Sequence, residues 1–130
     1  MHDLTNYAAN MLARALCGRT PSVPTAVFAA LGTGGTAAEG VTGEPVGNGY
    51  ARQRVTFTGT GPQRNADALT FTFTAVLGVG TLTHIGLFDA ATGGNPLTWG
   101  VLSFPLTVSC AGTVTIAAGD LKITPEVSDA

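Results

Sequence analysis

The chain has 130 residues, with 18 Gly, 7 Pro and 20 Thr against one Lys, five Arg and eight acidic residues, and a net charge of −2. Charged residues make up 11% and hydrophobic residues 45%, where an ordinary soluble domain is about 25% charged. Disorder is excluded, since it needs low hydrophobicity and high net charge, and six scattered basic residues do not supply the clustered Lys and Arg of a nucleic-acid footprint.

The length is that of one domain, 1–130. Met1-His2-Asp3-Leu4-Thr5-Asn6 has neither a basic nor an apolar leader region, and no run approaches the roughly 20 apolar residues of a spanning helix. The expectation is a soluble chain made in the cytoplasm. The spacing of Leu4, Tyr7, Ala8, Met11, Leu12, Ala15 and Leu16 predicts an amphipathic helix over about 4–17. Asp3 is the expected N-cap and Gly18 the residue just past the end. Arg14 and Arg19 lie at the negative end of the dipole, and Pro21 and Pro24 bar continuation. Its one apolar face must dock, either on the chain's own sheet or on a neighbouring subunit.

From about 25 to 124 the pattern is short strands between glycine turns. Thr25–Leu31 is the first, and Gly32–Gly49, with seven Gly and one Pro, is a long loop with room for a short strand. Tyr50–Phe57 alternates. Gly59–Ala66 is a turn region. Leu69-Thr70-Phe71-Thr72-Phe73-Thr74-Ala75 follows a strict period of two, the mark of a half-buried antiparallel strand. Thr81–Phe88 and Leu97–Phe104 are joined as a hairpin through Asp89–Pro96. Thr107–Cys110, Thr113–Ala117 and Leu121–Thr124 complete the set, and Pro125–Ala130 is a frayed tail. The expected fold is mainly β, an antiparallel β-sandwich or jelly-roll-like domain with one N-terminal helix.

No residue pattern carries catalysis, a cofactor or a metal. His84 sits in a predicted strand with Asp89 the nearest acid and no Gly-x-Ser-x-Gly elbow, so it reads as structural; His2 signals nothing. Glu39 and Glu44 share the glycine-rich loop and read as solvated turn residues rather than a facing glycosidase pair. Gly32-Thr33-Gly34-Gly35 lacks the Lys-Ser/Thr of a phosphate loop. Arg52 and Arg54 share a strand face with Tyr50, which fits a cation–π or carboxylate-binding patch, a solvated face, or pairing across a subunit boundary. Trp99 reads as a core anchor. Cys17 and Cys110 have no metal-ligand spacing; buried inert thiols are the default, and a disulfide formed after release into an oxidising medium is the alternative.

The run Ala90–Gly119 is thirty residues without a charge. Such depletion is typical of interfaces and suggests an oligomer or an assembly component. The contact candidates are Leu4, Tyr7, Met11 and Leu12 on the helix, Arg52 and Arg54, and the glycine-rich loop.

Five segments in order resemble small tailed-bacteriophage virion structural proteins: Leu4-Thr5-Asn6-Tyr7-Ala8-Ala9-Asn10, Gly49-Tyr50-Ala51-Arg52-Gln53, Val55-Thr56-Phe57, Thr83–Asn95 and Trp99-Gly100. Members of that family are commonly labelled tail fibre, minor structural or capsid decoration proteins. The resemblance spans about Leu4 to Thr124 and implies a non-enzymatic, assembled β domain of the virion. With no long repetitive shaft and no heptads, the chain suits a capsid decoration (cement) protein. Such a protein stabilises the shell by multivalent contact. Its implied partners are the major capsid protein and copies of itself, in a homo-oligomer such as a trimer, with no nucleic acid, membrane or small-molecule substrate. A tail-fibre or tail-tip domain touching the host surface or another tail protein is the alternative.

Overall fold

The computed structural model describes residues 2–21, 23–75 and 81–123. Its elements in chain order are β1 (His2–Leu4), α1 (Asn6–Leu16), β2 (Val27–Gly32), β3 (Gly34–Thr36), β4 (Gly40–Thr42), β5 (Gln53–Val55), β6 (Phe57–Thr58), β7 (Gln63–Asn65), β8 (Leu69–Phe73), β9 (Thr81–Phe88), β10 (Pro96–Thr107), β11 (Gly112–Ile116) and β12 (Lys122–Ile123).

The helix starts two residues later than the apolar spacing predicts. Leu4 is part of β1, where it pairs with Thr98, and Asp3 faces Trp99 across the same ladder. Thr5, not Asp3, is the N-cap: its hydroxyl accepts the Ala8 N–H at 3.2 Å and donates to the Pro96 carbonyl at 2.6 Å. A buried threonine thus caps the helix and fastens it to β10 at once. The C-terminal end follows expectation. Gly18 takes φ 74°, and the Arg19 and Gly18 N–H groups return to the Arg14 and Ala15 carbonyls, a Schellman closure. Among the described residues no helix is long and apolar enough to cross a membrane.

Every strand pairing is antiparallel. The largest sheet has the order β1, β10, β9, β2, β5; β8 pairs with β11, β7 lies between β6 and β12, and β3 with β4 forms a hairpin. Alternation in β2 and β9 gives the large sheet two faces. On one, Ala29, Leu31, Ile85 and Leu87 pack with Leu69, Phe71 and Phe73 of β8 in the main core, sandwich fashion. On the other, Ala30, Phe88 and Trp99 pack with Val41 of the β3–β4 hairpin. The hairpin lies close because glycine leaves room for it. A Cβ on Gly86 would stand 2.5 Å from Val41 Cγ2, and one on Gly35 would stand 2.7 Å from Trp99 Cε3.

The mainly β, antiparallel architecture with one N-terminal helix is as the sequence predicts, and Leu69–Phe73 alternates between buried and exposed as expected. Several details differ. The long glycine loop holds two strands rather than one. The Gly59–Ala66 turn contains β7; the expected strand Thr107–Cys110 is absent, because β10 runs on to Thr107 and ends there, and β11 pairs back onto β8. The expected tail, Pro125–Ala130, lies outside the described residues.

Candidate functional site

Two segments of the family resemblance, Gly49–Gln53 and Thr83–Asn95, meet with Glu44 of the glycine-rich loop around one guanidinium. In the loop before β5, Gly47, Asn48 and Gly49 all take positive φ, which turns the chain sharply and presents Tyr50 and Arg52. The Tyr50 ring stacks on Phe71 and Phe73, with centroids 6.2 and 6.3 Å away. Its hydroxyl donates to Glu44 Oε2 at 2.6 Å and accepts the Leu31 N–H at 3.0 Å. Burial, and next the Glu44 hydrogen bond, push this hydroxyl well above the ordinary tyrosine range, so it stays protonated.

Arg52 grips both oxygens of Glu44, Nε to Oε2 at 2.8 Å and Nη2 to Oε1 at 2.9 Å. Nη1 donates to the Ala90 and Gly93 carbonyls at 2.9 and 2.8 Å, and the guanidinium lies 3.8 Å from the Phe88 ring centre. Its side chain is only 9% exposed. The β9–β10 loop that it holds is also closed on itself: Asp89 accepts the Asn95 backbone and side-chain N–H groups at 2.6 and 3.0 Å. The cluster is therefore a brace that presents a fixed, exposed loop tip from Ala91 to Asn95.

This geometry revises several sequence expectations. Glu44 is not a solvated turn residue, because its carboxylate neutralises Arg52. The carboxylate and aromatic partners anticipated for Arg52 both come from its own chain. Arg54 is exposed and stands opposite Phe28. His84 Nδ1 lies 2.7 Å from Thr83 Oγ1, while Asp89 is engaged by Asn95 rather than by His84. Among the described residues no group of three or more His, Cys, Asp or Glu is placed to hold a metal. Cys17 and Cys110 are both free and exposed, not buried.

The helix candidates separate. Tyr7 and Met11 pack half-buried on the main core, whereas Leu4 and Leu12 are exposed. Exposed apolar residues that the sequence reading did not single out as contacts are Leu16 (86% exposed), Val23, Val46, Val101 and Phe104 (81%). Phe104 owes its position to a bulge: Val101 pairs with His84 and Leu106 with Leu82, so residues 102–105 of β10 stand against Thr83 alone. The available signal was Phe104-Pro105 inside the uncharged run, since a proline in a strand marks an edge or a bulge.

A family model described as Podophage GP4 fiber I protein gp80 matches residues 3–124. No curated protein matches the chain.

Proposed function

The chain belongs to the podophage GP4 fiber I protein gp80 family, a family of tailed-phage virion structural proteins, and from that membership we propose that it is a non-enzymatic subunit of a virion fibre. The observation that carries an assembling role is the apolar surface left open on α1 and β10, at Leu12, Leu16, Val101 and Phe104. Large apolar side chains left in water on surface elements are groups that an interface would cover, and Val101 and Phe104 stand within a thirty-residue run without charge. The polar groups that could have served catalysis are spent on structure: Glu44, Arg52 and Tyr50 on the brace, Asp89 on the loop.

Capsid decoration is the second reading, favoured by the lack of heptads or a repetitive shaft in the sequence. The family's name weighs toward the fibre. Immunogold labelling of purified virions, with copy number from quantitative mass spectrometry, separates the two. Label on tail fibres at tens of copies or fewer supports the fibre reading. Label over the whole head, at hundreds of copies, overturns it in favour of decoration.

A further inference from the structure

The turn that aims Tyr50 and Arg52 contains the chain's one Asn-Gly pair, Asn48-Gly49. The Cγ of an asparagine is open to attack by the nitrogen of the residue that follows it. The attack is least hindered where that residue is glycine, which has no Cβ in the way. The fold makes glycine obligatory at 49: φ is 79°, and a Cβ there would stand 2.9 Å from Thr74 Cγ2 and 3.2 Å from the Thr72 carbonyl oxygen. Asn48 has φ 54°, which asparagine tolerates better than most residues, and it is exposed to the water that the chemistry consumes. The other four asparagines are each protected. Asn6 and Asn10 lie in α1, where helical dihedrals hinder ring closure and the bulkier Tyr7 and Met11 follow. Asn65 is buried, its amide donating to the Asp67 and Ala117 carbonyls and its oxygen accepting the Leu121 N–H. Asn95 precedes Pro96, which has no N–H to lose.

We propose that Asn48 is a site of spontaneous deamidation and that its isoaspartyl product loosens the Arg52 brace. Hydroxide takes the Gly49 N–H proton, the nitrogen bonds to Asn48 Cγ, and the Cγ–Nδ2 bond breaks as ammonia leaves. Water then opens the five-membered imide. Cleavage of the new N–Cγ bond gives aspartate, and cleavage between the nitrogen and the main-chain carbonyl carbon of residue 48 gives isoaspartate. Nothing is oxidised or reduced, and either product adds one negative charge. Aspartate leaves the backbone intact and tolerates positive φ. Isoaspartate routes the chain through Cβ and so lengthens it by a methylene. That extra length falls inside a turn tied on both sides, where the Tyr50 N–H donates to the Gly47 carbonyl at 3.1 Å and the Thr74 N–H to the Asn48 carbonyl at 2.8 Å. Tyr50 and Arg52 follow directly, so a displaced turn draws the guanidinium off Glu44, Ala90 and Gly93. The inference goes beyond the fibre reading and does not rest on it.

The test is ageing of the full chain in mildly alkaline buffer beside Asn48→Gly, which accepts the positive φ and has no amide to lose. Peptide mass spectrometry, with fragmentation that separates aspartate from isoaspartate, follows all five asparagines. Asn48 is expected to convert faster than Asn6 and Asn10 by about tenfold or more, a barrier lower by about 1.4 kcal/mol, with isoaspartate among its products. Amide exchange through Ala91–Asn95 is expected to accelerate in aged wild type in step with isoaspartate, and to stay constant in aged Asn48→Gly. An Asn48 that converts no faster than Asn6 or Asn10, or only after unfolding in urea, overturns the site. Conversion to aspartate alone, or isoaspartate with unchanged exchange, overturns the effect on the brace. None of these outcomes depends on where the gold label falls, so this inference and the fibre reading fail separately.

Discussion

Arg52 and Tyr50 illustrate how far a single side chain's role depends on what it meets. Both are expected on one strand face, yet they stand in the loop before β5; their partners lie 6–41 positions away in sequence, and no local pattern encodes such pairings. Replacing Arg52 by Ala leaves the Glu44 carboxylate, among the described residues, with the Tyr50 hydroxyl as its partner and takes the Arg52 donors from the Ala90 and Gly93 carbonyls. Breaking a buried pair by removing one partner costs about 3–5 kcal/mol. Because the Glu44 side chain is 25% exposed, the expected loss is at the lower end, about 3 kcal/mol, read from the urea midpoint. Amide exchange should also accelerate through Ala91–Asn95; unchanged exchange there would mean the loop needs no brace. Tyr50 predicts an alkaline effect. Its folded-state pKa is raised, so the fold favours the neutral hydroxyl. The stability it contributes is complete below the ordinary tyrosine pKa of about 10 and is lost as pH climbs above it, by up to about 1.4 kcal/mol per pH unit. Tyr50→Phe should be less stable at neutral pH, through the lost hydrogen bonds to Glu44 and Leu31, yet show a shallower decline in Tm above pH 10. Parallel decline in both proteins would assign the alkaline loss to other groups.

At the scale of elements, legibility tracked periodicity. Leu69–Phe73 could be read because one face is buried and side chains alternate, so hydropathy itself reports the strand, whereas Thr81–Phe88 is packed on both faces toward its end and reads as an apolar run bounded by turns. The helix was readable for the same reason, although its start was not, because Leu4 continues the apolar spacing while its backbone belongs to β1. The β3–β4 hairpin was opaque: Gly34, Gly35 and Gly40 have no side chains to show a face, and Gly35 and Gly40 let the hairpin approach Trp99 and Pro96. Gly35→Ala tests this directly. The added methyl would meet the Trp99 ring, and overpacking of this kind costs about 1–3 kcal/mol. Trp99 is the chain's one tryptophan, so lifting the hairpin should shift the protein's fluorescence to longer wavelength. An unshifted spectrum with unchanged stability would show that the hairpin yields without exposing the ring. The pairing of β11 with β8 was equally out of reach, since both strands alternate well but nothing in either names its partner.

For the molecule as a whole, the low charge noted in the sequence can now be placed on surfaces. The apolar arc of α1 is wider than the part its own sheet covers. Ala8, Tyr7 and Met11 face the core, while Leu12 and Leu16 occupy a flank left in water. Packing on the chain's own sheet falls to Tyr7 and Met11; docking on a neighbour, proposed for Leu12 and Leu16, can be tested separately. Met11→Ala removes packing from the main core and should lower the monomer's Tm. Leu16→Glu alters a side chain that is 86% exposed and should leave monomer stability within about 0.5 kcal/mol of wild type. If the flank is buried in the particle, a carboxylate there must be desolvated without a partner. Virions grown with only the Leu16→Glu chain should then carry much less of it than wild-type virions, by mass spectrometry, although the free protein folds equally well. A full complement of Leu16→Glu in the particle would return this flank to solvent and leave Val101 and Phe104 of β10 as the exposed apolar side chains on which assembly turns.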